Sequence, residues 1–177
     1  MAKTKLRKML GKADSKESAD LMALIDTQSK TTLSAWAIGY AKTHYLTIYE
    51  EVCPGDERLN HIVSACEEYL QGGMKLNEVK PFIRQAGQIA RDITDDPVAQ
   101  AAARAVSTAC AVIQTPTNTL GFLFYGAAAT AYNYAGLSAA TEIYDDLAQK
   151  EFRQALASLA EAAVQDEPNP VKVKWSC

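Results

Sequence analysis

One feature of the sequence restricts its fold more than any other: from Ala105 to Thr141 there is no Asp, Glu, Lys or Arg. The whole chain of 177 residues carries 18 basic and 21 acidic residues, so the gap does not reflect a low overall charge. A helix that is apolar on all sides lies either in a membrane or at the centre of a globular domain. The interval is rich in alanine and glycine and includes Asn118 and Asn133, which makes membrane insertion unfavourable. We therefore predict a buried helical hairpin, interrupted at Pro116, and no membrane span.

Helical spacing of apolar residues recurs on both sides of this interval, and no long segment alternates with a period of two. Asp96 followed by Pro97 is a helix start signal, because Asp caps free N–H groups and Pro is tolerated in the first turn. Short connections favour antiparallel neighbours, so we predict an all-α fold of six to seven helices, stacked as antiparallel helical hairpins around the central apolar hairpin. A single helical domain is expected over residues 15–164, between a basic flexible N-terminus (1–14) and a mobile C-terminal tail (165–177).

Charge is distributed unevenly along the chain. Residues 1–12 carry five basic groups and no acid, which leaves 13 basic against 21 acidic residues in the rest. An acidic body argues against nucleic-acid binding, which requires a basic face, and it suits a basic partner. The candidate acidic partner face consists of Asp95, Asp96, Asp145 and Asp146.

The cysteines and the start of the chain bear on the compartment. No apolar segment of the secretory type follows the basic start, and the four cysteines form no CxxC pair. Thiols without close pairing are typical of a reducing environment. We therefore expect a cytoplasmic protein.

Polar side chains inside or beside the charge-free interval need hydrogen-bond partners if they are buried, since each unsatisfied group costs about 1–3 kcal/mol. Two arrangements are open: these groups bond to one another within the core, or they line a polar pocket together with aromatic residues of the second helix. The candidate pocket residues are Trp36, Tyr40, His44, Thr108, Gln114 and Asn118.

The sequence contains no recognisable catalytic motif, neither a nucleophile elbow nor a zinc-protease helix nor a phosphate-binding loop. Its two histidines are His44 and His61. Glu57 and His61 are spaced to share one helix face, but the Glu-x-x-His pairs of helical di-metal sites are absent. We therefore predict a protein that is not an enzyme and that needs neither a metal nor another cofactor.

Three segments in a fixed order carry a family resemblance: Leu33 to Ala37, which contains Trp36, the turn from Cys53 to Arg58, and Asp96-Pro97 leading into an alanine-rich stretch around Arg104. This order resembles the immunity-protein-five-like helical domain of bacterial polymorphic-toxin systems, over about residues 30–136. The turn and motif residues that carry the resemblance are Asp56, Arg58 and Arg104. The resemblance also implies that histidines of relatives fall on Thr108, Gln114 and Asn118 here.

Three functions remain in competition. The resemblance implies a cytoplasmic, non-enzymatic protein whose partner is a protein toxin, and the acidic face would then make the contact. The second is a helical domain that binds a small ligand or a metal in the polar pocket. The third is a helical-repeat-like scaffold for protein interaction. Alanine-rich helix faces also permit contacts between copies, which leaves a homo-oligomer open.

Overall fold

The computed structural model describes residues 5–176, so Lys3 of the predicted basic N-terminus and Cys177 of the predicted tail lie outside the described residues. The helices are α1 (Lys16–Ile25), α2 (Lys30–Ala41), a π-helical segment (Lys42–Leu46), α3 (Thr47–Val52), α4 (Arg58–Leu70), α5 (Leu76–Asp92), α6 (Pro97–Cys110), a 3₁₀ turn (Ala111–Ile113), α7 (Asn118–Ala135) and α8 (Thr141–Ala162). No strand occurs within residues 5–176. The predicted all-α fold is confirmed, and α2, the π-helical segment and α3 follow one another without interruption as a single rod.

The hairpin of α6 and α7 is the centre of the fold. Helix α6 packs most extensively on α7 and also contacts α2, α3, α4 and α5, while α8 covers the other side of α7. Alanine dominates the buried surface because its small side chain lets helix axes approach closely. The residues without exposed surface include Ala99, Ala102, Ala103 and Ala105 of α6 and Ala127, Ala128 and Ala129 of α7. The helical hairpin predicted from the charge-free interval therefore forms the core, while its connection around Gln114 and its end beyond Tyr132 are largely exposed.

The start of α6 follows the predicted capping chemistry. Asp96 is extended, and its side chain accepts hydrogen bonds from the backbone N–H groups of Val98 and Ala99, while Pro97 occupies the first helical position. Within the described part of the chain no helix combines the length and the hydropathy that crossing a membrane requires.

The π-helical segment changes which side chains of the rod formed by α2, the π-helical segment and α3 face the core. Regular α-helical spacing from Tyr40 would place His44 on the buried stripe. The wider π turn, with i→i+5 hydrogen bonds, instead brings Tyr45 onto the face of Tyr40. Tyr45 is completely buried, whereas His44 is only half-buried and lies on the Tyr40 ring at a centroid distance of 4.2 Å.

The segments before α1 and after α8 both contact the helices. Leu10 is buried, and its backbone N–H donates to the Phe124 carbonyl at 3.0 Å. On the other side, the Val171 N–H donates to the Gln28 carbonyl at 2.8 Å, and Trp175 Nε1 donates to Asp26. The flexibility of the N-terminus and the mobility of the tail stay predictions.

Candidate functional site

The six residues predicted to line one pocket are not brought together. Trp36 and Tyr40 bond to Ser158 and Glu151 of α8, and His44 lies on the outer side of the Tyr40 ring. Thr108 and Asn118 instead lie in a groove between α5, α6 and α7. Gln114 is exposed in the loop between α6 and α7.

A buried carboxylate organises the aromatic group. Glu151 of α8 is only 6% exposed, and its Oε1 accepts hydrogen bonds from both Tyr40 Oη and Tyr45 Oη at 2.7 Å. Burial, followed by the nearby Glu151 carboxylate, raises the pKa of each tyrosine well above its usual range. We call Trp36, Tyr40, His44, Tyr45 and Glu151 the aromatic–glutamate cluster. The hydrogen bonds of Tyr40 and Tyr45 to Glu151 join the rod to α8. Because the polar groups of the cluster bond to one another, the cluster is typical of a structural network.

Sequence reasoning missed Glu151, although one signal marks it. The buried residues of α8 recur at intervals of three and four, and Glu151 falls on that stripe between Ala148 and Ala155. A carboxylate on an otherwise apolar stripe predicts a buried partner, because an isolated buried charge is costly. Trp36 adds a second link to α8, since its Nε1 donates to Ser158 Oγ at 3.0 Å.

A second polar region faces solvent on the other side of the central hairpin. It is an open groove of about 500 Å³ between α5, α6 and α7, with Lys8 of the N-terminal segment at its border. Arg91, in the last turn of α5, and Arg104, in the middle of α6, contribute two further cations. None of these three cations forms an ion pair with a carboxylate of residues 5–176. We call this region, with Thr108, Asn118 and Tyr125, the basic groove.

The walls of the basic groove carry both engaged and unengaged polar side chains. Arg91 donates a hydrogen bond to Gln88 Oε1 at 2.9 Å. The Arg104 guanidinium lies 5.9 Å from the centroid of the Tyr125 ring, a cation–π contact that fixes its direction. Thr108 and Asn118 approach each other across the α6–α7 contact, since both come within 4 Å of a Cβ placed on Gly121. Neither side chain has a hydrogen-bond partner among residues 5–176, and both are partly accessible. The groove therefore offers donors and acceptors as well as positive charge.

The turn that carries the family resemblance is a compact charged structure. Asp56 accepts two hydrogen bonds from the Arg58 guanidinium, at 2.9 and 2.7 Å, and one from Tyr49 Oη at 2.7 Å. The Arg58 hydrogen bond, reinforced by that of Tyr49, holds the pKa of the Asp56 carboxyl well below its usual range. Arg104 is not part of this turn, because it lies in the basic groove.

The four residues of the predicted acidic face have different surroundings. Asp96 is occupied as the cap of α6, and Asp145 forms an ion pair with Arg7 at 2.6 Å. Asp145 and Asp146 share a small depression of about 190 Å³ beside Glu17. Asp95 is exposed at the start of α6. The two pairs therefore lie on different elements, Asp95 and Asp96 before α6 and Asp145 and Asp146 in α8.

Two further sequence-based alternatives can be compared with the structure. Glu57 and His61 approach to 3.7 Å and are both largely exposed, and residues 5–176 contain no group of three or more His, Cys, Asp or Glu side chains placed to hold a metal. Large exposed apolar side chains occur around the α7–α8 connection, namely Tyr134, Leu137 and Ile143. Leu137 also lines an open depression of about 680 Å³ between the N-terminal segment and this connection.

Comparison with known proteins gives one match. No curated protein and no solved structure matches the chain. The model of the family described as Imm-5 like putative immunity protein matches residues 23–162, from the last turn of α1 to the end of α8. This range includes the aromatic–glutamate cluster, the Asp56 turn and all the helices of the basic groove. The chain therefore belongs to the family of Imm-5 like putative immunity proteins.

Proposed function

We propose that this protein is a non-enzymatic immunity protein that binds a toxin made by the same cell and blocks its activity. The observation that carries the proposal is the family match over residues 23–162, which spans nearly the whole helical frame. Because the match covers almost the whole domain and not only one local motif, it supports a function shared with the other members of the family.

The distribution of polar groups supports recognition through the surface. The buried carboxylate of Glu151 is engaged by Tyr40 and Tyr45, so this group is not free to bind a partner. Charges that form no ion pair within residues 5–176 lie at the surface, on Lys8, Arg91 and Arg104 of the basic groove and on exposed acidic residues such as Asp95. Unpaired surface charges steer a partner and set the specificity of an interface.

The acidic residues remain a proposed second contact. Asp95 and Asp146 are exposed and have no ion-pair partner among the described residues, and Asp145 would be available after exchange of Arg7 for a basic group of the partner. Asp96 is not included in this contact, because it caps α6 and loss of the capping hydrogen bonds would lower the free energy of unfolding by about 1 kcal/mol.

The test is co-expression with a toxin gene from the same locus. We expect full-length protein to restore growth and to co-purify with a catalytically inactive form of that toxin. A folded helical protein of similar size and charge serves as the control. Expression of folded protein without rescue and without a complex would overturn the proposal.

Stoichiometry separates a binding protein from an enzyme. In a purified toxin assay, a blocking protein inhibits in proportion to its amount and reaches a plateau at equimolar concentration. Complete inhibition at a small fraction of the toxin concentration would show catalytic inactivation and contradict the non-enzymatic part of the proposal.

A further inference from the structure

We propose that the basic groove binds a short acidic segment of the partner polypeptide, one that carries Asp or Glu side chains. The inference rests on the proposed function, because it names the partner surface that an immunity protein of this structure would recognise. It also reverses the expectation from overall charge, which favours a basic partner.

The arrangement of charge is the first argument. The chain has a net charge of −3, yet Lys8, Arg91 and Arg104 converge on one groove, and none of the described residues that line it is acidic. Three cations that face the same space repel one another, and no carboxylate within residues 5–176 relieves that repulsion by an ion pair. A bound anion would relieve it. Arginine is suited to this, since its planar guanidinium binds a carboxylate through two parallel hydrogen bonds.

The remaining surface of the groove favours a peptide over a small inorganic anion. Its floor is apolar, formed by Ile83, Ala90 and Ala111, and its wall carries the unengaged side chains of Thr108 and Asn118. An asparagine amide is both a donor and an acceptor, and a threonine hydroxyl can serve as either. A polypeptide supplies N–H donors, C=O acceptors and methylene groups for such a surface, whereas a phosphate dianion supplies acceptors alone.

The same charges argue against a nucleic acid. Binding of a long polyanion needs a continuous basic face that neutralises many phosphates. Here the positive region is confined to one groove, and the rest of the chain beyond residue 12 carries 13 basic against 21 acidic residues. A short acidic segment with neutral flanks fits within the groove without meeting the acidic body.

The experiment uses reversal of the two exposed cations. The variant Lys8→Glu/Arg91→Glu changes only solvent-exposed side chains, and the control Lys30→Glu/Lys150→Glu changes the net charge equally at exposed positions outside the groove. Thermal unfolding establishes that both variants are folded. The probe is a fluorescent peptide of eight glutamates, titrated with full-length protein at low ionic strength, because exposed charges are screened by salt.

We expect the groove variant to bind the peptide about tenfold or more weakly than wild type and the control to stay within about twofold. Equal weakening in both variants would overturn the inference, since it would show a general effect of net charge. The inference would also be overturned if wild type bound an RNA oligonucleotide of the same charge more tightly than the peptide, and if the groove variant weakened that RNA binding.

The same variants in complex with the inactive toxin distinguish this inference from the proposed function. Loss of toxin binding in the groove variant alone supports both. Undiminished toxin binding by the groove variant overturns the inference and leaves the proposed function standing. Binding of the peptide in the groove, without binding of any toxin from the same locus, overturns the proposed function alone.

Discussion

Substitution of Gly126 by alanine tests the packing of the aromatic–glutamate cluster. Gly126 lies in α7 directly against Tyr45, and a Cβ built on it would lie 2.0 Å from Tyr45 Cζ and 2.4 Å from Tyr45 Oη. Such distances require the ring to move. The ring is held by the hydrogen bond to Glu151 and by edge contacts with Tyr40 and Phe122, at centroid distances of 5.7 and 6.0 Å.

The expected cost follows from these contacts. Overpacking in a core costs about 1–3 kcal/mol. Displacement of Tyr45 also weakens its bond to the buried Glu151 carboxylate, and a hydrogen bond to a charged group contributes about 1.5–3 kcal/mol. Alanine recovers up to about 1 kcal/mol of helix propensity relative to glycine. The net loss is then on the order of 2–5 kcal/mol, a large part of the 5–15 kcal/mol typical of a domain.

Gly121→Ala is the matched control, because it makes the same change in the same helix. A Cβ at Gly121 would meet only ordinary contacts, 3.8 Å from Asn118 Oδ1 and 3.9 Å from Thr108 Cγ2. We expect this variant to be as stable as wild type or more stable by up to about 1 kcal/mol. Urea unfolding followed by circular dichroism measures both free energies of unfolding.

Equal stability of the Gly126→Ala and Gly121→Ala variants would refute the reasoning. A double-mutant cycle with Tyr45→Leu identifies the cause, since removal of the ring also removes the clash. In that background Gly126→Ala should cost little or nothing. If the cost persisted without the ring, contact with Tyr45 would not be its origin.

Two further predictions concern the dependence of stability on pH. Asp56→Asn should lower the free energy of unfolding at pH 7 by about 1–2 kcal/mol, because the hydrogen bonds to Arg58 and Tyr49 lose their charged acceptor. Since the pKa of Asp56 is lowered in the folded state, wild type should lose this contribution to stability as the pH falls below about 4. If the stability of Asp56→Asn fell with acid as steeply as that of wild type, this prediction would be contradicted. Since the pKa of Tyr45 is raised by burial, folded protein should lose stability as the pH rises above about 10, by up to about 1.4 kcal/mol per pH unit for each such tyrosine. Tyr45→Phe should reduce that slope in denaturant titrations from pH 9 to 11, and an unchanged slope would count against it.

Local chemistry determined much of the fold directly from the sequence. The absence of charge from Ala105 to Thr141 predicted the buried α6–α7 hairpin. Asp96-Pro97 specifies a helix start, because the Asp96 side chain satisfies N–H groups that every helix leaves free. Three short segments in a fixed order, one of them the Asp56 turn, carried the family resemblance, which the family model confirms. These signals depend on residues within a few positions of one another, so they can be recognised without knowledge of the tertiary structure.

The candidate sites depended on the tertiary structure. The π-helical segment turned Tyr45 inward and His44 outward, a shift of one residue that apolar spacing alone does not reveal. Glu151 is buried because two tyrosines of another helix reach it, and its side chain would otherwise be solvated. The basic groove combines Lys8, Arg91 and Arg104 from three separate segments. A positively charged groove could not be predicted from a sequence with net negative charge, because electrostatic potential depends on distance in space and not on separation along the chain.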